Sequence, residues 1–148
     1  MSQADVDLVR RWYDAGPSDY GMAFSNERFL AAARPGIEGF IAPDFVFIAG
    51  EDDFTGLAGE YRGVDGFFEF LRDWYSAWAS YRLDVEEMVD VGDGHVLVLG
   101  HEVGTSLSAG VEMKGEFGTV YSIRDGRIHR IEAFQNHAKA RRAAGLDA

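Results

Sequence analysis

The chain has 148 residues, which is the size of one domain (1–148), and its hydrophobic fraction of 47% is enough for a sizeable core. Lys and Arg number 14 against 25 Asp and Glu, and the resulting net charge of −11 repels nucleic acids and anionic membrane surfaces. The absence of cysteine excludes disulfides, thiolate metal sites and a cysteine nucleophile. Because the sequence shows neither a leader pattern nor a long apolar run, we expect a cytoplasmic protein without a nucleic-acid or membrane partner.

The first 49 residues are predicted to hold three helical pieces and one strand. A first amphipathic helix ends at Gly16-Pro17. A second helix is capped by Ser25 and breaks at Pro35-Gly36, and one more helical turn follows the break. The apolar run from Phe45 to Ile48 then predicts a short strand.

A Gly-rich acidic segment, Gly50 to Gly63, is predicted to be a loop with at most a short strand near Tyr61. Its acidic run Glu51-Asp52-Asp53 is interpreted as solvated; a divalent-metal site is the alternative, but neighbouring loop carboxylates alone do not define a coordination sphere. The strongest helix comes next. Its apolar residues fall at helical spacing and predict a helix that lies on a sheet: Val64, Phe67, Phe68, Leu71, Trp74, Tyr75 and Trp78.

From Arg82 onward the hydrophobic period changes to two, which predicts four antiparallel strands in meander order. Gly92-Asp93-Gly94 and Arg124-Asp125-Gly126-Arg127 mark the first and last hairpin turns. The last strand, Arg127 to Asn136, carries charged groups on both faces and is predicted to line a pocket. A terminal Ala- and Arg-rich helix completes an α+β domain with its helices on one face of a curved, cone-forming sheet.

The order of these elements resembles the nuclear transport factor 2-like superfamily, and the local motifs resemble its SnoaL-like branch. The motifs are the two Asp-Gly hairpins, Tyr61-Arg62-Gly63-Val64-Asp65-Gly66, Glu132-Ala133-Phe134-Gln135-Asn136-His137 and Ala143-Ala144-Gly145-Leu146. The resemblance covers almost the whole chain and implies a cone-shaped fold that hosts ketosteroid isomerases, epoxide hydrolases and polyketide cyclases.

Ketosteroid isomerase chemistry is not implied by this resemblance. The tyrosine, aspartate base and protonated aspartic acid of those enzymes align with Trp12, Ala49 and Thr119, none of which fills the role. Tyr13, Glu51 and Asp52 lie close to these positions in the sequence.

Two residues are the catalytic candidates, with no metal site and no cofactor expected. Glu132 lies between apolar residues, and a carboxyl group facing an apolar cone has a raised pKa suited to acid and base catalysis. Its alternative role is an ion pair with Arg130, Arg62 or His101, or exposure at a dimer interface. His101 shares a strand face with Leu97 and Leu99, so we expect it to be buried, as a catalytic partner or as a core histidine.

Large aromatic side chains suit a flat hydrophobic ligand, although packing in the core is the alternative for most of them. The candidate ligand-binding residues are Trp12, Tyr13, Tyr61, Trp74, Trp78, Thr119, Tyr121 and Phe134. Two functions follow. The first is binding of a small hydrophobic molecule, either by itself or together with cofactor-independent acid and base catalysis on an enolisable compound. The second is a non-catalytic homodimeric module, indicated by the apolar residues on both faces of the central strands.

Overall fold

The computed structural model describes residues 3–50, 53–54 and 56–146, so Glu51 and Asp52 of the acidic run lie outside the described residues. Within that part of the chain the helices are α1 (Gln3–Ala15), α2 (Tyr20–Phe24), α3 (Glu27–Phe40), α4 (Gly63–Tyr75) and α5 (His137–Ala143). The strands are β1 (Ile41–Ala49), β2 (Gly59–Arg62), β3 (Trp78–Gly92), β4 (His95–Ser106), β5 (Glu112–Arg124) and β6 (Arg127–Phe134).

Helix α3 differs from its prediction at both ends. Asn26, not Ser25, caps it, because the Asn26 side-chain oxygen accepts the backbone N–H groups of Arg28 and Phe29. The predicted break at Pro35-Gly36 is wrong, since α3 continues through Pro35 to Phe40. An internal proline costs a helix about 3 kcal/mol. Packing of Ile37 and Phe40 against the core, beyond the proline, offsets that cost.

Helix α4 is the predicted long helix, but it ends at Tyr75, before the last residue of the predicted apolar face. Trp78 instead begins β3, where it pairs with Ser106. The Ala77 carbonyl accepts the N–H of Leu107, so the backbone has already turned into the sheet at that point. The helical spacing of apolar residues continues from α4 to Trp78, so the sequence pattern does not show where the helix ends.

The sheet has six strands in the order β2-β1-β6-β5-β4-β3. The antiparallel meander from β3 to β6 is confirmed, and β1 adds to it parallel to β6. Both predicted Asp-Gly hairpins are present, with φ of 55° and 79° at Asp93 and Gly94 and of 55° and 74° at Asp125 and Gly126. Positive φ at both central residues is the turn that matches the twist of the strands.

The helices do not all lie on one face of the sheet, contrary to the prediction. The inner face packs on α1 to α4 through the main core, whereas Leu97, Leu99 and Val120 point to the outer face and are covered by Ala140 of α5. Gly118 permits this approach, because a β-carbon there would collide with Ala140. Helix α5 therefore covers part of the outer face of the sheet.

Candidate functional site

A cavity of about 290 Å³ lies between the inner face of the sheet and the helices. This volume is near the lower end of the roughly 300–1,000 Å³ range of small-molecule pockets. Six of the eight sequence-predicted ligand-binding residues line it: Trp12, Tyr13, Trp74, Thr119, Tyr121 and Phe134. Phenylalanine side chains from α2, α3, α4 and β1 supply much of the remaining wall. The cavity therefore suits a flat apolar molecule better than a charged one.

One end of the cavity carries three hydroxyl groups, from Tyr13, Tyr121 and Thr119, which we call the tyrosine pole. The Tyr121 hydroxyl donates to the Tyr13 hydroxyl at 2.7 Å, and the two rings meet edge to face with centroids 5.9 Å apart. Burial raises the pKa of Tyr13, and the hydroxyls of Tyr121 and Thr119 oppose part of that rise. All three groups therefore keep their hydroxyl protons at neutral pH and can take part in hydrogen bonds inside the cavity.

Another part of the wall carries the carboxyl group of Glu102, from β4. We call Glu102 and its neighbours Tyr81 and Gln135 the acid pole. The Gln135 amide donates to Glu102 Oε2 at 3.2 Å. Burial raises the pKa of Glu102 from its usual 4.5 to about 7; the hydrogen bonds from Tyr81 and Gln135 oppose this rise, and the charge of Asp53 adds to it. A carboxyl group that titrates near neutral pH is suited to both accepting and donating a proton.

Sequence reasoning missed Glu102, although alternation along β4 contained the signal. Val96 and Val98 belong to the inner core, so Gly100 and Glu102 share their face. The first half of β4 is apolar on both sides, which hid which face was inner. Once the inner face is known, Glu102 is the acidic residue that β4 directs toward the aromatic cavity.

Glu132 lies on the outer face of the sheet, so the expectation that it faces the cone is wrong. Its neighbours Ile131 and Ala133 line the cavity, while Glu132 pairs across the strands with Val120 of the outer cluster. The Glu132 carboxylate lies 3.6 Å from Arg130, and its side chain is 25% exposed. This is the ion pair that the sequence offered as its alternative role.

His101 is not buried, contrary to the expectation, because its side chain is 52% exposed. Its strand face is the outer one; α5 covers Leu97 and Leu99 of that face, and His101 lies beside the start of α5. Its Nδ1 atom is 2.9 Å from Glu86 Oε1, and its ring meets the His137 ring at 5.3 Å. His101 therefore belongs to a surface cluster away from the cavity wall.

Tyr61 and Trp78, the other two predicted ligand-binding residues, lie behind the cavity wall. The Tyr61 hydroxyl donates to the Leu57 carbonyl at 2.6 Å, and its ring packs on Phe70. Trp78 is buried against the rings of Trp74 and Tyr81. Both are core aromatic residues, which was the alternative given for them.

Two further features concern metals and membranes. In the ranges that the structure describes, no group of three or more His, Asp or Glu side chains is placed to hold a metal ion. Likewise, none of the described helices combines the length and the apolar character needed to cross a membrane.

Comparison with known proteins places this geometry in a family. The model of the SnoaL-like domain matches residues 23–131. No curated protein matches the chain. Among solved structures, an NTF2-like protein of unknown function from Burkholderia pseudomallei K96243 shares 24% identity, with 96% of this chain and 97% of that chain covered and a TM-score of 0.67.

Two other similar structures are of proteins with a bound ligand or a named reaction. TerC, co-crystallised with polyporic acid, is 19% identical, with 97% of this chain and 99% of that chain covered and a TM-score of 0.66. A candidate SnoaL-like polyketide cyclase from Jannaschia sp. CCS1 is 16% identical, with 90% and 88% covered and a TM-score of 0.67. At these identities the likeness concerns the fold. The similar structures show that the chain has the NTF2-like fold, and the family match identifies it as a member of the SnoaL-like domain family.

Proposed function

We propose that the protein binds a small hydrophobic molecule in the aromatic cavity and that Glu102 moves a proton on it, without a cofactor. The single observation that carries this proposal is a carboxyl group in an aromatic cavity wall whose pKa is raised to about 7. Near neutral pH such a group is present in both forms. The protonated form carries no charge and is tolerated in an apolar site, and the ionised form can remove a proton from a ligand.

The reaction class that fits is proton transfer at a carbon next to a carbonyl group. Glu102 takes the proton as the C–H bond breaks, the electron pair moves to the carbonyl oxygen as an enolate, and the proton returns to a carbon of the same molecule. The Tyr81 hydroxyl and the Gln135 amide lie beside Glu102 and are donors for the developing negative charge. Isomerisation and ring closure both proceed through such an enolate.

The spacing of the two poles limits the shape of the ligand. Val98 pairs with Thr119, and Glu102 lies four residues further along β4, which is roughly 14 Å along a strand. An elongated aromatic or polycyclic molecule with oxygen atoms toward both ends fits this arrangement. Its far end accepts or donates hydrogen bonds at the tyrosine pole while its reactive carbon lies at Glu102.

Polyporic acid is the first probe, because the similar structure of TerC contains it. We expect it to quench the fluorescence of the wall residues Trp12 and Trp74. Ala33→Phe, which fills the cavity from α3, is expected to weaken binding at least about tenfold by removing room for the ligand. The matched control Ala31→Phe, on the exposed side of α3, is expected to bind as the parent does. Equal affinity in both variants would contradict binding in this cavity.

A homodimer is a second candidate role, favoured by exposed apolar side chains around the β4–β5 hairpin. Leu107, Val111 and Met113 are 64%, 57% and 55% exposed. Exposed clusters of this kind mark contact surfaces. Light scattering at high concentration is expected to give twice the mass of one chain, and Met113→Lys to lower it; one-chain mass in the parent protein would exclude this role.

A further inference from the structure

Two tyrosines that line the cavity, Tyr20 of α2 and Tyr75 of α4, have hydroxyl groups without a hydrogen-bond partner among the described residues. The side chain of Tyr75 is nevertheless well buried, with 8% of the residue exposed. Within the same part of the chain, the side-chain atoms that are both enclosed and unpaired are Asp53 Oδ2 and Trp78 Nε1. The hydroxyl oxygens of Tyr20 and Tyr75 are therefore not enclosed, and they face the open volume of the cavity.

The tyrosine pole differs from this pair because its hydroxyl groups bond to one another. Tyr121 donates to Tyr13 at 2.7 Å, and Tyr13 is also hydrogen-bonded to Thr119. A buried hydroxyl group without a partner has lost its hydrogen bonds to water and gained none in return, so buried tyrosine hydroxyls usually have a partner. The hydroxyls of Tyr20 and Tyr75 are free to bond to a molecule that enters the cavity.

Ring packing does not explain why these two residues carry hydroxyl groups. The rings of Tyr20, Phe24 and Tyr75 pack against one another, with centroids 5.4, 5.5 and 5.8 Å apart. Phe24 fills its place in this triangle with a ring that has no hydroxyl group, and it lines the cavity too. Phenylalanine at positions 20 and 75 would make the same ring contacts without burying an unpaired hydroxyl group.

The pair lies between the mouth of the cavity and the acid pole. At the mouth, the residues that line the cavity are small and also exposed: Ala15, Gly16, Ala32 and Gly36. A β-carbon at Gly16 would lie 3.1 Å from the Tyr20 hydroxyl oxygen, so this hydroxyl is beside the mouth. The Tyr75 ring meets the ring of Tyr81, in the acid pole, edge to face at 5.1 Å. A ligand that extends from the mouth to Glu102 therefore has both hydroxyls along one edge.

Both hydroxyls keep their protons at neutral pH. Burial raises the pKa of Tyr20 to about 12, and it raises the pKa of Tyr75 well above the usual value of a tyrosine. Each group can therefore donate a hydrogen bond. A carbonyl oxygen accepts hydrogen bonds and carries no charge, so it complements such donors in an apolar wall.

We propose that Tyr20 and Tyr75 form a recognition site on the helix side of the cavity, where their hydroxyls donate hydrogen bonds to oxygen atoms on the long edge of the ligand. This inference rests on the proposed function, namely that a small hydrophobic molecule occupies the cavity. It narrows the ligand class to flat polycyclic ketones and quinones, whose carbonyl oxygens project from the edge of the ring system. A hydrocarbon of the same shape leaves both hydroxyls without a partner.

The test compares fluorenone with fluorene, two flat tricyclic molecules of which the first has a carbonyl group where the second has a methylene group. Fluorenone has no C–H group next to its carbonyl that Glu102 could remove, so binding is measured apart from turnover. Equilibrium dialysis gives both affinities for the parent and for the double variant Tyr20→Phe/Tyr75→Phe. A hydrogen bond between neutral groups contributes roughly two- to tenfold in affinity, so the ratio of fluorenone affinity to fluorene affinity is expected to fall at least about fivefold.

The matched control is Tyr61→Phe, because the Tyr61 hydroxyl bonds to the Leu57 carbonyl behind the cavity wall. This variant is expected to keep the parent ratio. An unchanged ratio in the folded double variant would mean that water alone bonds to the two hydroxyls, and it overturns this inference while leaving binding in the cavity intact. If the double variant does not fold, Tyr75→Phe is measured alone, and a ratio that does not fall overturns the inference. Failure of both molecules to bind the parent overturns this inference and the proposed function together.

Discussion

Replacing Glu102 by glutamine is expected to lower turnover about 100-fold or more. A positioned acid or base group accelerates a reaction by roughly 100- to 10,000-fold, and the variant loses that contribution. Glutamine keeps the size of the side chain and its bond with Gln135 but holds no transferable proton. Uptake of deuterium from heavy water into an enolisable ketone that the cavity binds measures the loss. Binding itself is expected to change little, because the aromatic wall is intact.

The matched control for this experiment is Glu132→Gln. Glu132 is a partly buried glutamate in the same sheet, but it faces outward and pairs with Arg130. Exchange at the parental rate is expected in this variant. Loss of exchange in Glu132→Gln, with exchange retained in Glu102→Gln, would return the proton-transfer role to the residue that sequence reasoning first indicated.

The second large effect concerns the pH dependence of stability. Burial raises the pKa of Glu102 to about 7 in the folded chain, against 4.5 as its usual value. The folded state therefore holds the proton more tightly, and the free energy of unfolding falls as pH rises from about 4.5 to about 7. Each pKa unit corresponds to about 1.4 kcal/mol, so the total loss from this group is about 3 kcal/mol.

Glutamine at position 102 does not ionise, so the variant is expected to lack this loss. Urea unfolding of the parent and Glu102→Gln at pH 4.5 and pH 8 measures the difference. The free energy of unfolding of the variant minus that of the parent is expected to be about 3 kcal/mol larger at pH 8 than at pH 4.5. A difference that does not vary with pH would show that Glu102 is not perturbed by burial.

The fold was predictable from the sequence because its signals are local. Alternation in the strands, the Asp93-Gly94 and Asp125-Gly126 turns and the apolar face of α4 each depend on neighbours in the chain. Errors occurred where tertiary packing overrode local preference. Helix α3 passes Pro35 because Ile37 and Phe40 pack beyond it, and α5 lies on the outer face because Gly118 leaves room for Ala140.

The candidate site was only partly predictable, for a physical reason. Aromatic residues are large enough to reach a common cavity from many positions, and six of the eight residues named from the sequence, five of them aromatic, line the cavity. The identity of the ionisable group depends instead on which strand face is inner. Alternation with a period of two shows which residues share a face of a strand, but it does not show which of the two faces points to the cavity. Glu132 and Glu102 both lie on strands whose inner face the sequence does not identify, and only the packing of the helices decides between them.

The role of Glu102 as proton carrier is tested most directly by measuring its pKa with carbon-13 NMR of glutamate-labelled protein, with Glu102→Gln used to assign the signal. Burial in the aromatic wall predicts a midpoint at about 7. A midpoint near the usual 4.5 would contradict that role, because the carboxyl group would then be fully ionised and solvated at neutral pH.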